Sequence, residues 1–174
     1  MKNKYDVLIV GGGASGFYAA IQIAEHLPKL KIAILEKAKE GLNKVKISGG
    51  GRCNITHAEF LPKALSENYP RGEKELLGPF HKYMTGDVFE WFESHGLPLK
   101  IEEDGRVFPI SDSSQSVINC FLEQTSKHGV DCLYQQNVSE ISRQEDKWFV
   151  QTKNAQYSAR YLIIATGSSP AVWR

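Results

Sequence analysis

The sequence predicts an α/β fold: a parallel central sheet of strands buried on both faces, with helices crossing between them and an antiparallel β-meander appended. Three observations carry this. Tyr5–Glu36 reads as strand, glycine turn, helix and second strand. A run of short alternating segments follows Cys132. A further apolar strand, Tyr161–Ala165, leads directly into Thr166-Gly167.

The first unit is the most specific. Asp6–Val10 is apolar without alternation, the pattern of a strand covered on both sides. It breaks into Gly11-Gly12-Gly13-Ala14-Ser15-Gly16, after which Phe17, Ile21 and Ala24 recur at helical spacing until Pro28. Lys31–Leu35 is the second strand, and Glu36 closes it, 20 residues beyond Gly16. In such a βαβ unit the first glycine permits the tight turn, the second lets backbone approach a pyrophosphate, and the third lets the helix lie against the sheet. Free amides of the first helical turn and the helix dipole favour a diphosphate, and a carboxylate at the end of the second strand accepts hydrogen bonds from ribose hydroxyls. The combination implies dinucleotide binding, where the glycines alone would fit a plain turn.

Composition sets the class. With 174 residues, 41% hydrophobic and 24% charged, the chain suits a globular domain with a real core. A formal net charge of +1 gives no electrostatic reason to expect nucleic acid or an anionic membrane. The apolar run after Met1–Lys4 is too short for a signal peptide or membrane span. Cys53, Cys120 and Cys132 are odd in number and lack CxxC or metal-ligand spacing, so no metal site is expected and reduced thiols in the cytoplasm fit best.

The middle of the chain is less regular. Lys44–Asn54 reads KVKISGGGRCN; its three glycines can fold tightly around a ligand or make a mobile surface turn, and Arg52 is a fork suited to phosphate or a flavin carbonyl. Pro62, Pro70 and Pro79 divide the next segment, leaving one short helix at Glu73–Leu77. A helix from Thr85 through Trp91, stopped at Gly96, presents Val88, Trp91 and Phe92, read as core and not as a cofactor platform. Leu99–Ile101 and Arg106–Phe108 flank Asp104-Gly105 as a hairpin, with Glu102 and Glu103 read as a solvated acidic turn. Ser111 or Ser113 caps a helix bearing Val117, Ile118, Phe121 and Leu122, with His128 in its last turn. Cys132–Tyr134 is a strand, and Val138–Ile141, Trp148–Thr152 and Gln156–Ala159 form the meander. Only seven residues follow Gly167, too few for the crossover helix that usually covers such a strand, so the chain is expected to stop in mid-fold.

GGGASG, Glu36, KISGGGRCN, EDGRVFP and IIATG occur in the order and spacing of one group. The chain from Tyr5 to Val172 resembles the BaiN/YhiN-like FAD-dependent oxidoreductases, within the glutathione-reductase-type flavoproteins. SGGGRCN and DGRVFP are the narrow signatures. The resemblance implies a three-layer ββα Rossmann-like FAD-binding domain, here its N-terminal portion (1–174), without the substrate domain and the returning C-terminal segment. It implies that Gly11, Gly13, Ala14, Ser15 and Gly16 hold the FAD pyrophosphate, and that Glu36 holds the adenosine ribose with Lys37 beside it. Lys44, Gly51, Arg52, Cys53 and Asn54 would lie toward the isoalloxazine, Val138 would meet the adenine through its backbone, and Thr166 and Gly167 would approach the cofactor. A small organic substrate is expected, with NAD(P)H as a candidate electron donor. No residue earns a catalytic assignment, and Cys53 is read as a loop thiol and not a redox partner. A non-catalytic remnant that binds FAD weakly is the alternative. A flavoprotein acting on tRNA is set aside because no basic cluster is present.

Overall fold

The computed structural model describes residues 3–168. In chain order its elements are β1 (Lys4–Val10), α1 (Ala14–His26), β2 (Ile32–Leu35), α2 (Asn43–Ile47), β3 (Thr56–His57), α3 (Pro62–Glu67) and α4 (Glu73–Phe80). There follow α5 (Thr85–Ser94), β4 (Leu99–Ile101), β5 (Arg106–Pro109), α6 (Ser114–Lys127), β6 (Asp131–Leu133), β7 (Val138–Gln144), β8 (Lys147–Thr152) and β9 (Gln156–Ile164). They form two compact units, one of residues up to Val45 and from Phe121 onward, the other Lys46–Cys120.

The first unit is built on a sheet of order β6-β2-β1-β9-β8-β7. β6, β2, β1 and β9 run parallel, and β9-β8-β7 is the antiparallel meander. Alternation along β1 and β2 sorts their side chains. Leu8, Val10, Ala33 and Leu35 pack with Val150, Tyr157 and Ala159 of the meander. Val7, Ile9, Ile32 and Ile34, also buried, take the opposite face, where α1 buries Phe17, Ala20, Ile21 and Ala24. Helix, parallel strands and meander are the three layers expected. Each fully buried aliphatic side chain contributes about 1.5–3 kcal/mol.

Two details depart from the sequence reading. Gln156–Ala159 and the apolar run from Tyr161 are one continuous strand, β9, because no turn residue separates them; it pairs with β8 over Gln156–Ala159 and with β1 from Ser158 to Ile164. That strand is not covered on both faces: Tyr161 is 50% and Ile164 57% exposed. Residues 169–174, where no crossover helix is expected, lie outside the described residues.

In the second unit β3, β5 and β4 form an antiparallel sheet, with the expected hairpin turning at Gly105 (φ +82°). α5 begins where Asp87 accepts a hydrogen bond from the Met84 amide at 2.7 Å, and it buries Trp91 and Phe92 as core. The segment divided by prolines contains two helices instead of one: α3 takes Pro62 in its first turn, where a missing amide has no helical partner to lose, and α4 extends the expected Glu73–Leu77 to Phe80 with Pro79 one residue from its end. Gln115 donates its amide to Ser113 Oγ, making Ser113 the cap of α6. Among the described residues no helix is long and apolar enough to cross a membrane.

Candidate functional site

The turn between β1 and α1 is shaped by backbone crowding on one side and open space on the other. Gly11 has φ +113°, and a Cβ there would lie 2.6 Å from the Ala165 carbonyl carbon and 2.9 Å from the Thr166 nitrogen. The Ala165-Thr166 backbone at the end of β9 therefore demands glycine. Gly16 is required by the same crowding, because a Cβ would overlap the Gly11 carbonyl and touch Ile9. Gly13 differs: among the described residues, no atom beyond its chain neighbours lies within 4 Å of where its Cβ would be. It caps α1 in extended conformation (φ −89°, ψ −174°) and offers no side-chain cap, and among the described residues no side chain accepts from the helix's first amides. Ala14 and Ser15 at the helix start are exposed. An uncapped helix start bordered by open space is what an anion can fill, with about 0.3–1 kcal/mol from the dipole.

Glu36 stands beside this turn. Its Oε2 accepts from the Gly12 amide at 2.7 Å and its Oε1 from the Ala38 amide at 2.8 Å. Each oxygen keeps a second acceptor position, so the carboxylate is fixed in orientation without being used up. Gly12 has no room for a side chain, since a Cβ would lie 2.9 Å from that of Glu36. Lys37 is exposed. Lys44 donates through Nζ to the Ser168 carbonyl at 2.9 Å, next to Gly167 (φ +69°), and Thr166 is exposed. Val138, half-buried, packs against the meander-side core at the start of β7. Of the predicted site residues, Gly11–Gly16 with Glu36 form one continuous feature, and Thr166 joins it through Gly11. Gly12, Ala38 and Gln136, which orient Glu36, carry no sequence signal of their own.

Gly51–Asn54 belong to the second unit. Gly49, Gly50, Gly51 and Cys53 all have positive φ, which winds the loop into a single irregular turn that composition alone left open. Arg52 lies 3.9 Å from the centre of the Phe108 ring, and its Nη1 binds Glu102 Oε1 at 2.5 Å and Asp112 Oδ1 at 3.4 Å. Glu102 is therefore ion-paired, contrary to the reading of a solvated turn; that partner lies fifty residues away in sequence. Lys100 also pairs with Asp112 and holds its carboxyl below the usual range. With its nitrogen donating, the Asn54 side chain faces the Thr56 and Val107 carbonyls at 2.9 and 3.2 Å. A 330 Å³ cleft in this unit, lined by Phe60, Phe89, Glu90 and Ile101, contains none of the predicted residues.

Burial pushes the Cys53 thiol up, partly offset by its hydrogen bond to Ser48. Cys53 and Cys120 are 6% and 5% exposed. Thiol titration of the native chain is expected to leave both unmodified while the guanidinium-unfolded chain reacts fully; a Cys53 that reacts first would contradict this. His128, expected only as a helix-end charge, lies with Nε2 3.6 Å from Glu25 Oε1 of α1.

A parallel sheet with a glycine turn into an uncapped helix, and a fixed carboxylate on the next strand, defines a Rossmann-type FAD-binding domain of the kind found in flavin oxidoreductases. The chain belongs to the HI0933-like protein Rossmann domain family, whose model matches residues 5–172. It is 27% identical over 171 residues to a ribosomal RNA dihydrouridine synthase of Haemophilus influenzae, covering 96% of this chain and 41% of that protein. It is 27% identical over 159 residues to a 3-dehydro-bile acid Δ(4,6)-reductase of Clostridium scindens, covering 91% and 38%. Among solved structures it resembles a 3-ketosteroid-Δ4-(5α)-dehydrogenase from Rhodococcus jostii RHA1, with a TM-score of 0.67, 14% identity, and coverage of 96% of this chain and 46% of that one. The chain thus spans about two fifths of the length of the curated relatives it matches.

Proposed function

We propose that this chain is the FAD-binding part of an oxidoreductase that passes a hydride between FAD and a small organic substrate, with NAD(P)H as the electron donor. The observation that carries the reading is the uncapped start of α1 beside open space at Gly13, with the Glu36 carboxylate oriented next to it. The residues fit FAD: amides of Ala14, Ser15 and Gly16 for the diphosphate, and the remaining acceptor positions of Glu36 for ribose hydroxyls. Bound FAD supplies the hydride chemistry; the chain binds and orients it. The family resemblance suggests Lys37, Lys44, Val138, Thr166 and Gly167 for the rest of the cofactor.

The relatives suggest the acceptor. Dihydrouridine formation and Δ(4,6) reduction both saturate a carbon–carbon double bond conjugated to a carbonyl, and we take that as the substrate feature. An RNA base is the second reading, favoured by two relatives named ribosomal RNA dihydrouridine synthases, and a net charge of +1 over two fifths of their length does not oppose it. Three free thiols support a reducing, cytoplasmic setting.

The test is FAD titration of the purified chain, followed by gel filtration. Retained flavin at one per chain is expected. A colourless protein after reconstitution would overturn the reading and favour a nucleotide-binding remnant. Glu36→Gln is expected to weaken FAD binding about tenfold, through loss of one charge-assisted pair to the ribose. Calorimetry showing equal affinity would contradict the role given to Glu36.

A further inference from the structure

Glu36 is held by more than its own strand. Its backbone amide donates to the Leu133 carbonyl at 2.9 Å, and its carbonyl accepts from the Gln136 amide at 2.8 Å. Gln135, at φ +56°, donates to the Ala38 carbonyl at 2.9 Å. The 133–136 segment therefore runs alongside Glu36, bonded to both its amide and its carbonyl, and is tied to Ala38, whose amide holds Glu36 Oε1. The Gln136 side chain ties that segment to the meander. Its Nε2 donates to the Tyr134 carbonyl at 3.1 Å. Its Oε1 accepts from Tyr157 Oη at 3.0 Å and from Thr152 Oγ1 at 3.1 Å.

Both hydroxyls come from the meander and are inaccessible: Tyr157 is 6% and Thr152 1% exposed. Thr152 also has the Ala155 carbonyl within reach of its hydroxyl at 3.0 Å, so Tyr157 is the donor with no competing acceptor given by the geometry. Burial pushes the Tyr157 phenol up, which keeps it a donor. A hydrogen-bond chain anchored on two buried hydroxyls holds geometry tightly, because breaking a link leaves a buried polar group unpaired.

We infer that Gln136 is a positioning residue for the nucleotide site, transmitting the fixed geometry of the meander, through Tyr157 and Thr152, to the Glu36 carboxylate. The inference rests on the FAD reading for its consequence but not for its structural content. In flavoprotein terms, the meander is the splint that keeps the ribose-binding acid against the Gly12 amide.

Two readouts test it in Gln136→Leu, and in Tyr157→Phe, which keeps the ring and its packing should the first variant fold poorly. Hydrogen exchange in the ligand-free chain is expected to quicken at least fivefold at the Gly12 and Ala38 amides, while mid-helix amides of α1 such as Ile21 stay unchanged. FAD affinity is expected to fall about fivefold in either variant, and less than twofold when the same change is made on Glu36→Gln. Unchanged exchange at Gly12 and Ala38, or an equal loss of affinity in both backgrounds, would overturn the inference. A chain that shows the exchange effect but retains no FAD would instead overturn the proposed function and leave the positioning role standing.

Discussion

Gly13→Val is expected to abolish measurable FAD binding, at least a hundredfold loss, while leaving the thermal midpoint within a few degrees of the parent. The two halves of this expectation come from one observation. Among the described residues no atom beyond the chain neighbours lies within 4 Å of the position a Cβ would take, and Gly13 sits in ordinary extended backbone, so valine costs the fold little. The branched side chain would occupy the space in front of α1's first amides, where the diphosphate must come within hydrogen-bond distance. Equilibrium dialysis with labelled FAD, beside thermal unfolding of the same preparation, reads both. A Gly13→Val chain that still binds FAD would place the diphosphate elsewhere.

Gly16→Ala should do the reverse and strike stability first. One methyl group there would overlap the Gly11 carbonyl oxygen and sit 3.2 Å from its carbon, against backbone that cannot rotate away. Gly11 is itself pinned, since its amide donates to the Leu35 carbonyl at 2.9 Å and the end of β9 crosses it. Relief requires lifting α1 from the sheet, where Phe17, Ala20, Ile21 and Ala24 are buried. Overpacking of this kind costs about 1–3 kcal/mol, and displacing a packed helix adds to it. Urea denaturation should show a lower midpoint at unchanged slope. A midpoint equal to the parent's would show that α1 has slack that the structure does not provide.

These two glycines mark how far a sequence reading goes. The βαβ unit was legible because its information is local: a doubly apolar run, glycines at fixed offsets, helical periodicity and an acid closing the next strand. Which glycine is crowded and which faces open space was legible only in outline, as the crowding of Gly11 comes from Ala165 and Thr166 at the far end of the described chain. The Arg52–Glu102 pair was invisible for the same reason: two charged residues fifty apart carry no mutual signal. α3 was missed, and α4 was read three residues short, where proline was taken as a breaker although it occupied a terminal turn. Gln136 lies in a polar gap between two strands, and its importance comes wholly from Tyr157 and Thr152 reaching it across the meander.

The central claim is that the first-turn amides of α1 hold a diphosphate and Glu36 holds its ribose. Following backbone amide resonances of the labelled chain during FAD titration tests it most directly. Saturable shifts largest at Gly13–Gly16 and at Glu36 and Ala38 are the predicted result. Saturable shifts confined to other segments, with those amides unmoved, would contradict it.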